Sequence, residues 1–279
     1  MLMLVRAHPD DRHQSLYESH WTSPDVDVHE YLDTFSNRCW RLTAPPGPLR
    51  VRYDALVDIS GEPDPVVADA PLIRVQDLPD DTLVFTLASR YIQSDLLLDD
   101  AWNLFGATPP TWLRVQAVCD WVHQNVRYEA GTSDPTVTAV DVYERRVGVC
   151  RDFALLATAF CRSLNIPARY TFGYLPDIAV DPPDVPMDFH AWFEAYVGGQ
   201  WYAFDARHNV PRIGRVVIGR GRDAVDVAMA TSYGPQQLTQ MTVWAEEVAP
   251  GTVDDNDADE LEAVEVETGS LTIHAGGGT

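Results

Sequence analysis

A chain of 279 residues is long enough to bury a full hydrophobic core and to hold one large or two modest domains. Its 20 basic and 42 acidic residues give a net charge of −22, which argues against nucleic acid and anionic membrane surfaces as partners, because both attract cationic proteins. No stretch approaches the roughly 20 apolar residues of a membrane span, and the apolar start is too short for a secretory signal, so the sequence predicts a cytoplasmic protein.

The first region, residues 1–95, is predicted to be a β-rich domain of sandwich-like type. Apolar and polar residues alternate almost strictly from Leu49 to Ile59, which is typical of a strand with one buried face. Prolines on both sides of this segment indicate turns.

The second region, residues 96–248, mixes helices and strands. Apolar residues recur every three or four positions from Thr111 to Val126, which predicts an amphipathic helix, and a second helix is predicted after Cys150 with apolar residues facing the core. Pro167 ends the second helix because proline cannot continue the helical hydrogen bonds. Strands are predicted at Arg169 to Tyr174, His190 to Val197 and Trp201 to Asp205. The third region, residues 249–279, is acidic and poor in aromatic residues, which predicts a disordered tail.

Cys150 is the first candidate for a catalytic residue. It follows Gly148-Val149 at the predicted start of a helix, where the unpaired backbone amides and the helix dipole would lower the pKa of a thiol and stabilise an oxyanion beside it. The alternative is a buried structural cysteine. The other three cysteines, Cys39, Cys119 and Cys161, lack this context, and no paired spacing predicts a disulfide framework.

A base and a carboxylate are predicted on one hairpin. Gly198-Gly199 favours a two-residue turn, which pairs Val197 with Gln200 and places His190 and Asp205 on one face as diagonal neighbours, about 7–8 Å apart at the backbone. A three-residue loop would move Asp205 to the opposite face. We therefore expect Asp205 to bind the Nδ1 hydrogen of His190 and leave the other ring nitrogen facing the thiol. Each residue taken by itself has a structural alternative: His190 could be a half-buried strand histidine, and Asp205 could form a turn at the end of a strand.

Four blocks in this order, residues 148–154, 166–174, 190–196 and 201–205, resemble the bacterial transglutaminase-like superfamily. Residues 33–37 are similar to part of the β-rich domain that often precedes this core. The resemblance implies an α+β fold with a papain-like core, in which the nucleophile begins a helix packed on an antiparallel sheet. It also implies a Cys150, His190 and Asp205 triad that performs acyl transfer on amides. The chain departs from the family pattern at Ala206-Arg207-His208-Asn209, where Pro-Thr-Asn is frequent, and at Phe189, where a small residue is frequent.

Four further residues are candidates for the substrate pocket: Trp192, Asp152, His208 and Asp223. Core packing for Trp192, a solvated turn for His208 and a helix cap for Asp223 are the alternatives. No H-E-x-x-H motif, paired cysteine motif or phosphate loop is present, so the sequence indicates neither a metal nor another cofactor.

The function predicted from these features is hydrolysis of a peptide or protein amide, by a peptidase or amidase acting through a thioester. Three alternatives stay open at this point. The acyl group could pass to an amine, as in a glutamine transglutaminase. The fold could be a catalytically idle module that binds a peptide. Zinc could be bound by Cys150, His190 and Asp205.

Overall fold

The computed structural model describes residues 1–8, 13–182, 186–248 and the strand at 271–275. The described helices are α1 (Leu98–Phe105), α2 (Trp112–Asn125), α3 (Ala139–Arg145) and α4 (Cys150–Ser163). The strands in the first part of the chain are β1 (Leu2–Met3), β2 (His13–Ser23), β3 (Val28–Leu32), β4 (Arg38–Leu42) and β5 (Gly47–Ile59). The later strands are β6 (Arg127–Tyr128), β7 (Val147–Gly148), β8 (Ala168–Tyr174), β9 (His190–Val197), β10 (Gln200–Phe204), β11 (Val216–Gly221), β12 (Ala230–Thr231), β13 (Gln236–Gln240) and β14 (Leu271–Ala275).

Two small antiparallel sheets are built mainly from the first five strands. One has the order β12-β1-β4-β3 and the other the order β13-β14-β5-β2. The strand predicted from Leu49 to Ile59 is confirmed within β5, where Leu49 and Val51 are buried against Met3 and Trp40. Because strands from both ends of the chain complete these sheets, the division into three segments stays a prediction.

The acidic segment 249–279 is described only at residues 271–275. These residues pair as β14 with β5 and β13, in contrast to the disorder expected there. Leu271 and Ile273 alternate with polar residues, a pattern that favours a strand once a neighbouring strand is available for pairing. Residues 249–270 and 276–279 lie outside the described residues.

Helix α4 is the central element of the second part of the chain. Every residue from Asp152 to Ser163 is buried, because α1, α2, α3 and the sheet β10-β9-β8-β11 surround the helix. Both predicted helices are confirmed, and the side chain of Thr111 caps the start of α2 by accepting a hydrogen bond from the amide of Leu113. The α+β class is confirmed as well. No helix in the described ranges is long and apolar enough to cross a membrane.

The hairpin of β9 and β10 has the predicted register. Val197 pairs with Gln200, and the two glycines of the turn adopt positive φ angles of 60° and 92°. The side chains of Ala191 and Phe193 belong to the core on the α4 side of the sheet. Alternation along the strand therefore places His190 on the opposite face. The turn fixes which side chains meet at the strand ends.

Candidate active site

Cys150 is the first residue of α4, as the sequence predicts. The start of the helix is fixed by Asp152, whose carboxylate accepts hydrogen bonds from the Val149 amide at 2.9 Å and the Ser133 hydroxyl at 2.9 Å. Gly148 is required here because a Cβ atom would lie 2.6 Å from the Cβ of Asp152. Asp152 is 0% exposed, so it is a helix-capping residue and not the pocket residue that the sequence suggested.

The sulfur of Cys150 lies beside the backbone on both sides of His190. Its thiol is 4.0 Å from the carbonyl oxygen of Phe189, and the amide of Ala191 also points to the sulfur. No hydrogen bond joins the sulfur to the His190 ring among the described residues. The sulfur therefore contacts the main chain that carries His190.

The pKa of the Cys150 thiol differs from the sequence expectation. Burial raises this pKa to about 11, and the nearby carboxylates of Asp205 and Asp188 act in the same direction. The amides of Ala191 and Arg151 oppose the shift without overcoming it. The expected lowering of the pKa by the helix start is wrong because desolvation of the charged sulfur outweighs the helix amides.

The His190 ring is hydrogen-bonded to Asp205, with 2.7 Å between Nε2 and Oδ2. The expected use of Nδ1 is wrong. Extension of the hairpin register places Asp205 opposite Trp192, two residues from His190 along β9, and from this diagonal position its carboxylate reaches Nε2 of the ring. The tautomer with hydrogen on Nε2 leaves Nδ1 as the proton acceptor.

The electrostatic state of this pair follows from its burial. Burial lowers the pKa of His190, although Asp205 opposes the shift. Burial would raise the pKa of Asp205, but His190 and other cationic or hydrogen-bond-donating neighbours hold it well below its ordinary value. Near neutral pH the site therefore holds a neutral thiol, a neutral imidazole and an ionised carboxylate.

A second imidazole binds the same carboxylate. The Nδ1 atom of His208 lies 3.1 Å from Oδ2 of Asp205, and its ring centroid lies 4.7 Å from that of His190. The amides of Arg207 and His208 donate to the other oxygen, Oδ1, at 3.0 and 3.1 Å. The structure thus brings together Cys150, His190, Asp205 and His208.

Comparison with known proteins assigns the family. Residues 103–206 match the transglutaminase-like superfamily. The crystal structure of a candidate cysteine protease from Cytophaga hutchinsonii is 37% identical, with 82% of this chain and 78% of that chain covered and a TM-score of 0.74. The chain belongs to the transglutaminase-like superfamily. The resemblance and the fold that it implies are confirmed.

Two mycobacterial proteins are similar over part of their length. An uncharacterized protein of Mycobacterium leprae is 36% identical over 136 residues, which cover 47% of this chain and 48% of that protein. An uncharacterized protein of Mycobacterium bovis is 28% identical over 208 residues, which cover 67% of this chain and 65% of that protein. The chain therefore spans about half of the first relative and slightly less than two thirds of the second.

Arg215 is a part of this transglutaminase-like site that the sequence analysis missed. Its guanidinium lies 3.2 Å from Oδ2 of Asp205, 2.8 Å from Asp64 and 5.0 Å from the ring centroid of Trp192. Trp192 is 1% exposed and stacks beside the His190 ring, so it supports the ring and does not line an open pocket. The sequence showed only that Arg215 is basic. It could not show the two ion pairs, because Asp64 lies far away along the chain and Asp205 belongs to a different element.

Asp223 lies away from the surface of the pocket. It is 2% exposed, and its carboxylate accepts hydrogen bonds from the amides of Tyr91 and Val225, both at 2.9 Å. The suggestion that Asp223 lines the pocket is therefore replaced by a structural role, because both oxygens are used to fix loop backbone.

One group of potential metal ligands occurs in the described part of the chain, formed by His190, Asp205 and His208, with ligand atoms within 4.8 Å of one another. These atoms already form the hydrogen bonds described above. Arg215 places a fixed positive charge on the same carboxylate oxygen, which disfavours a cation at this position.

Proposed function

We propose that this member of the transglutaminase-like superfamily is a cysteine hydrolase, a peptidase or amidase that cleaves an amide through a thioester intermediate. The observation that carries the proposal is the position of the Cys150 sulfur at the start of α4, 4.0 Å from the carbonyl oxygen of the residue before His190, whose imidazole is hydrogen-bonded to Asp205 at 2.7 Å. The similarity to a candidate cysteine protease supports the same chemistry.

Attack begins from a neutral thiol. The sulfur exchanges its contact with the Phe189 carbonyl for one with Nδ1 of His190, and the thiol proton passes to Nδ1 as the sulfur bonds to the amide carbon. Because the thiol pKa is about 11, proton removal accompanies attack and does not precede it. Asp205 stabilises the imidazolium, and the open amides in the first turn of α4 stabilise the oxyanion.

The intermediate then collapses. The carbon–nitrogen bond breaks, His190 returns its proton to the departing nitrogen, and an amine leaves while the acyl group stays on the sulfur as a thioester. Water attacks the thioester with His190 as base, the carbon–sulfur bond breaks, and the sulfur regains a proton. The products are a carboxylic acid, an amine and the unchanged enzyme.

Substrate profiling tests this function. A library of peptides and isopeptides is incubated with the wild-type protein, with Cys150→Ala and with Cys161→Ala, and the products are identified by mass spectrometry. Cys161 is a suitable control because it lies in the same helix but is 0% exposed. Cleavage is expected with the wild type and Cys161→Ala and not with Cys150→Ala.

A labelled primary amine in parallel reactions separates the alternatives. Incorporation of the amine without hydrolysis would replace the hydrolase by a transglutaminase. Peptide binding that is equal in the wild type and Cys150→Ala, without any cleavage or trapped thioester, would instead identify a binding module.

A further inference from the structure

The turn after β10 is rigidly held. Asn209 adopts a left-handed conformation with φ of 56°, and its amide donates to the carbonyl of Asp205 at 2.7 Å. The Asn209 side chain also contacts Asp120 at 2.9 Å and Gln116 at 2.8 Å, both on α2. The backbone that carries residues 206–208 is therefore fixed against α2.

Arg207 lies at the middle of this turn. Nδ1 of His123 on α2 lies 3.2 Å from the carbonyl oxygen of Arg207 and 3.3 Å from that of Ala206, so it can donate to both. Because the backbone of Arg207 is already fixed, its side chain loses less conformational freedom when it binds a ligand. The residue is therefore preorganised for recognition.

The guanidinium of Arg207 stacks on the ring of Tyr128, 3.8 Å from its centroid. Tyr128 belongs to β6 and is paired in register with Gly148, two residues before Cys150. The arginine comes from the Asp205 side of the site and the tyrosine from the Cys150 side, so the stacked pair bridges the two. Tyr128 is 44% exposed, which places the pair at the surface of the site.

Charges from both sides act on this pair. Burial raises the pKa of Tyr128; the Cys150 thiolate, once it forms, adds to the shift, and Arg207 opposes it. Tyr128 is thus within electrostatic reach of the nucleophile and of the guanidinium.

The guanidinium of Arg207 has no hydrogen bond or ion pair with any residue in the described part of the chain. By contrast, Arg127 beside Tyr128 is paired with Glu129, and Arg215 is paired with Asp64 and Asp205. In a chain with 42 acidic residues, no described carboxylate is placed on Arg207. Stacking uses the face of the guanidinium and leaves its N–H edge for a planar anion.

We propose that Arg207 and Tyr128 form a subsite for a carboxylate, and that the preferred substrate carries a free carboxylate close to the amide that Cys150 attacks. This inference rests on the proposed function, since it assigns part of the substrate of that site. A guanidinium edge binds a carboxylate through two parallel charge-assisted hydrogen bonds, whereas it binds a neutral amide less strongly.

Two alkylating reagents test the subsite without knowledge of the substrate. Iodoacetate and iodoacetamide both lose iodide when the Cys150 thiolate attacks their methylene carbon, but only iodoacetate carries a carboxylate. The second-order rate constants of the two reagents at Cys150 are measured at pH 9 and low salt. Both rates depend equally on the fraction of thiolate, so their ratio does not change when a variant alters that fraction. Arg207→Gln is expected to lower the iodoacetate-to-iodoacetamide ratio roughly tenfold, and Arg207→Lys by less.

Arg127→Gln is the matched control. This variant removes one positive charge from the residue next to Tyr128 in the chain. In the wild type the guanidinium of Arg127 is already ion-paired with Glu129. The ratio is expected to stay within about twofold of the wild type in this variant. Tyr128→Leu removes the stacking surface and keeps the arginine, and a smaller fall in the ratio is expected.

An unchanged iodoacetate-to-iodoacetamide ratio in Arg207→Gln would overturn the subsite, and so would an equal fall of the ratio in Arg127→Gln. In either case, alkylation of Cys150 by iodoacetamide would still support its role as the nucleophile. Failure of both reagents to label Cys150 would count against the proposed function and the subsite together. Once a substrate is found, two pairs of peptides distinguish the sources of the carboxylate. Peptides with Glu or Gln near the cleaved amide test a side-chain carboxylate, and peptides with a free or an amidated C-terminus test the terminal one. Equal cleavage within both pairs would contradict the inference.

Discussion

Two carboxylates are buried on the same face of the antiparallel sheet, and their hydrogen-bond partners differ. Glu194, in β9, is bound by Arg169 at 2.7 Å and Arg220 at 2.8 Å. Asp205, directly after β10, is bound by the rings of His190 and His208 as well as by Arg215. Both carboxylates are close to fully buried.

The difference lies in what the partners do with protons. An arginine stays protonated in proteins, so the network of Glu194 holds a fixed charge and contributes to structure. An imidazole gains and loses a proton near neutral pH, so the network of Asp205 can change charge during a reaction. The Glu194 network also connects to the first part of the chain through Asn37. The side-chain amide of Asn37 donates to the carbonyl of Arg220 and accepts from its backbone amide, both at 2.8 Å.

Asp205→Asn tests the role of the carboxylate beside His190 and should have the largest effect. The amide removes the charge that stabilises imidazolium and favours the wrong tautomer of His190. Hydrolysis of p-nitrophenyl acetate should fall roughly 10³-fold or more, with the circular dichroism spectrum retained. A fall of less than tenfold in a folded variant would show that Asp205 is not a catalytic partner of His190.

Glu194→Gln should instead affect stability. Removal of one partner leaves buried guanidinium charge uncompensated, and we expect a loss of about 3–5 kcal/mol in the free energy of unfolding, measured by urea denaturation. The rate of ester hydrolysis per folded molecule should stay within about twofold of the wild type. A loss of rate comparable to that of Asp205→Asn would remove the functional distinction between the two carboxylates.

The pH dependence of Cys150 alkylation tests the resting state of the site. With a thiol pKa of about 11, the rate with iodoacetamide should rise throughout the range from pH 7 to pH 10. At pH 7 it should be at least about tenfold slower than that of free cysteine. A plateau near neutral pH at a rate above that of free cysteine would instead indicate a thiolate–imidazolium pair.

Two variants of His208 give the smallest effects and sharpen the comparison further. His208→Phe keeps a ring against His190 but loses the hydrogen bond to Asp205, so ester hydrolysis should fall about fivefold. His208→Asn keeps a donor for Asp205 and should retain more of the rate.

Both His208 variants remove a charge that lowers the pKa of His190. The pKa of His190 should therefore rise, and the acidic limb of the pH–rate profile should move to higher pH in both. Identical profiles for the wild type and both variants would show that His208 does not influence the base.

Local patterns were sufficient for α2, α4 and the register of the hairpin of β9 and β10. The period of apolar residues predicts α2 and α4, Gly198-Gly199 predicts the pairing of Val197 with Gln200, and that pairing brings His190 and Asp205 together. These predictions succeed because they depend on neighbours within a few residues, where backbone geometry restricts the outcomes.

The sequence by itself thus determined the α+β class, the helix start at Cys150 and the common face of His190 and Asp205. Only the tertiary structure decided that Nε2 binds Asp205, that Asp152 and Asp223 serve the backbone, and that the thiol pKa is raised. The reason is that burial and long-range charges set these properties. Arg215 and Asp64 reach the site from distant parts of the chain, and no local pattern records such a contact.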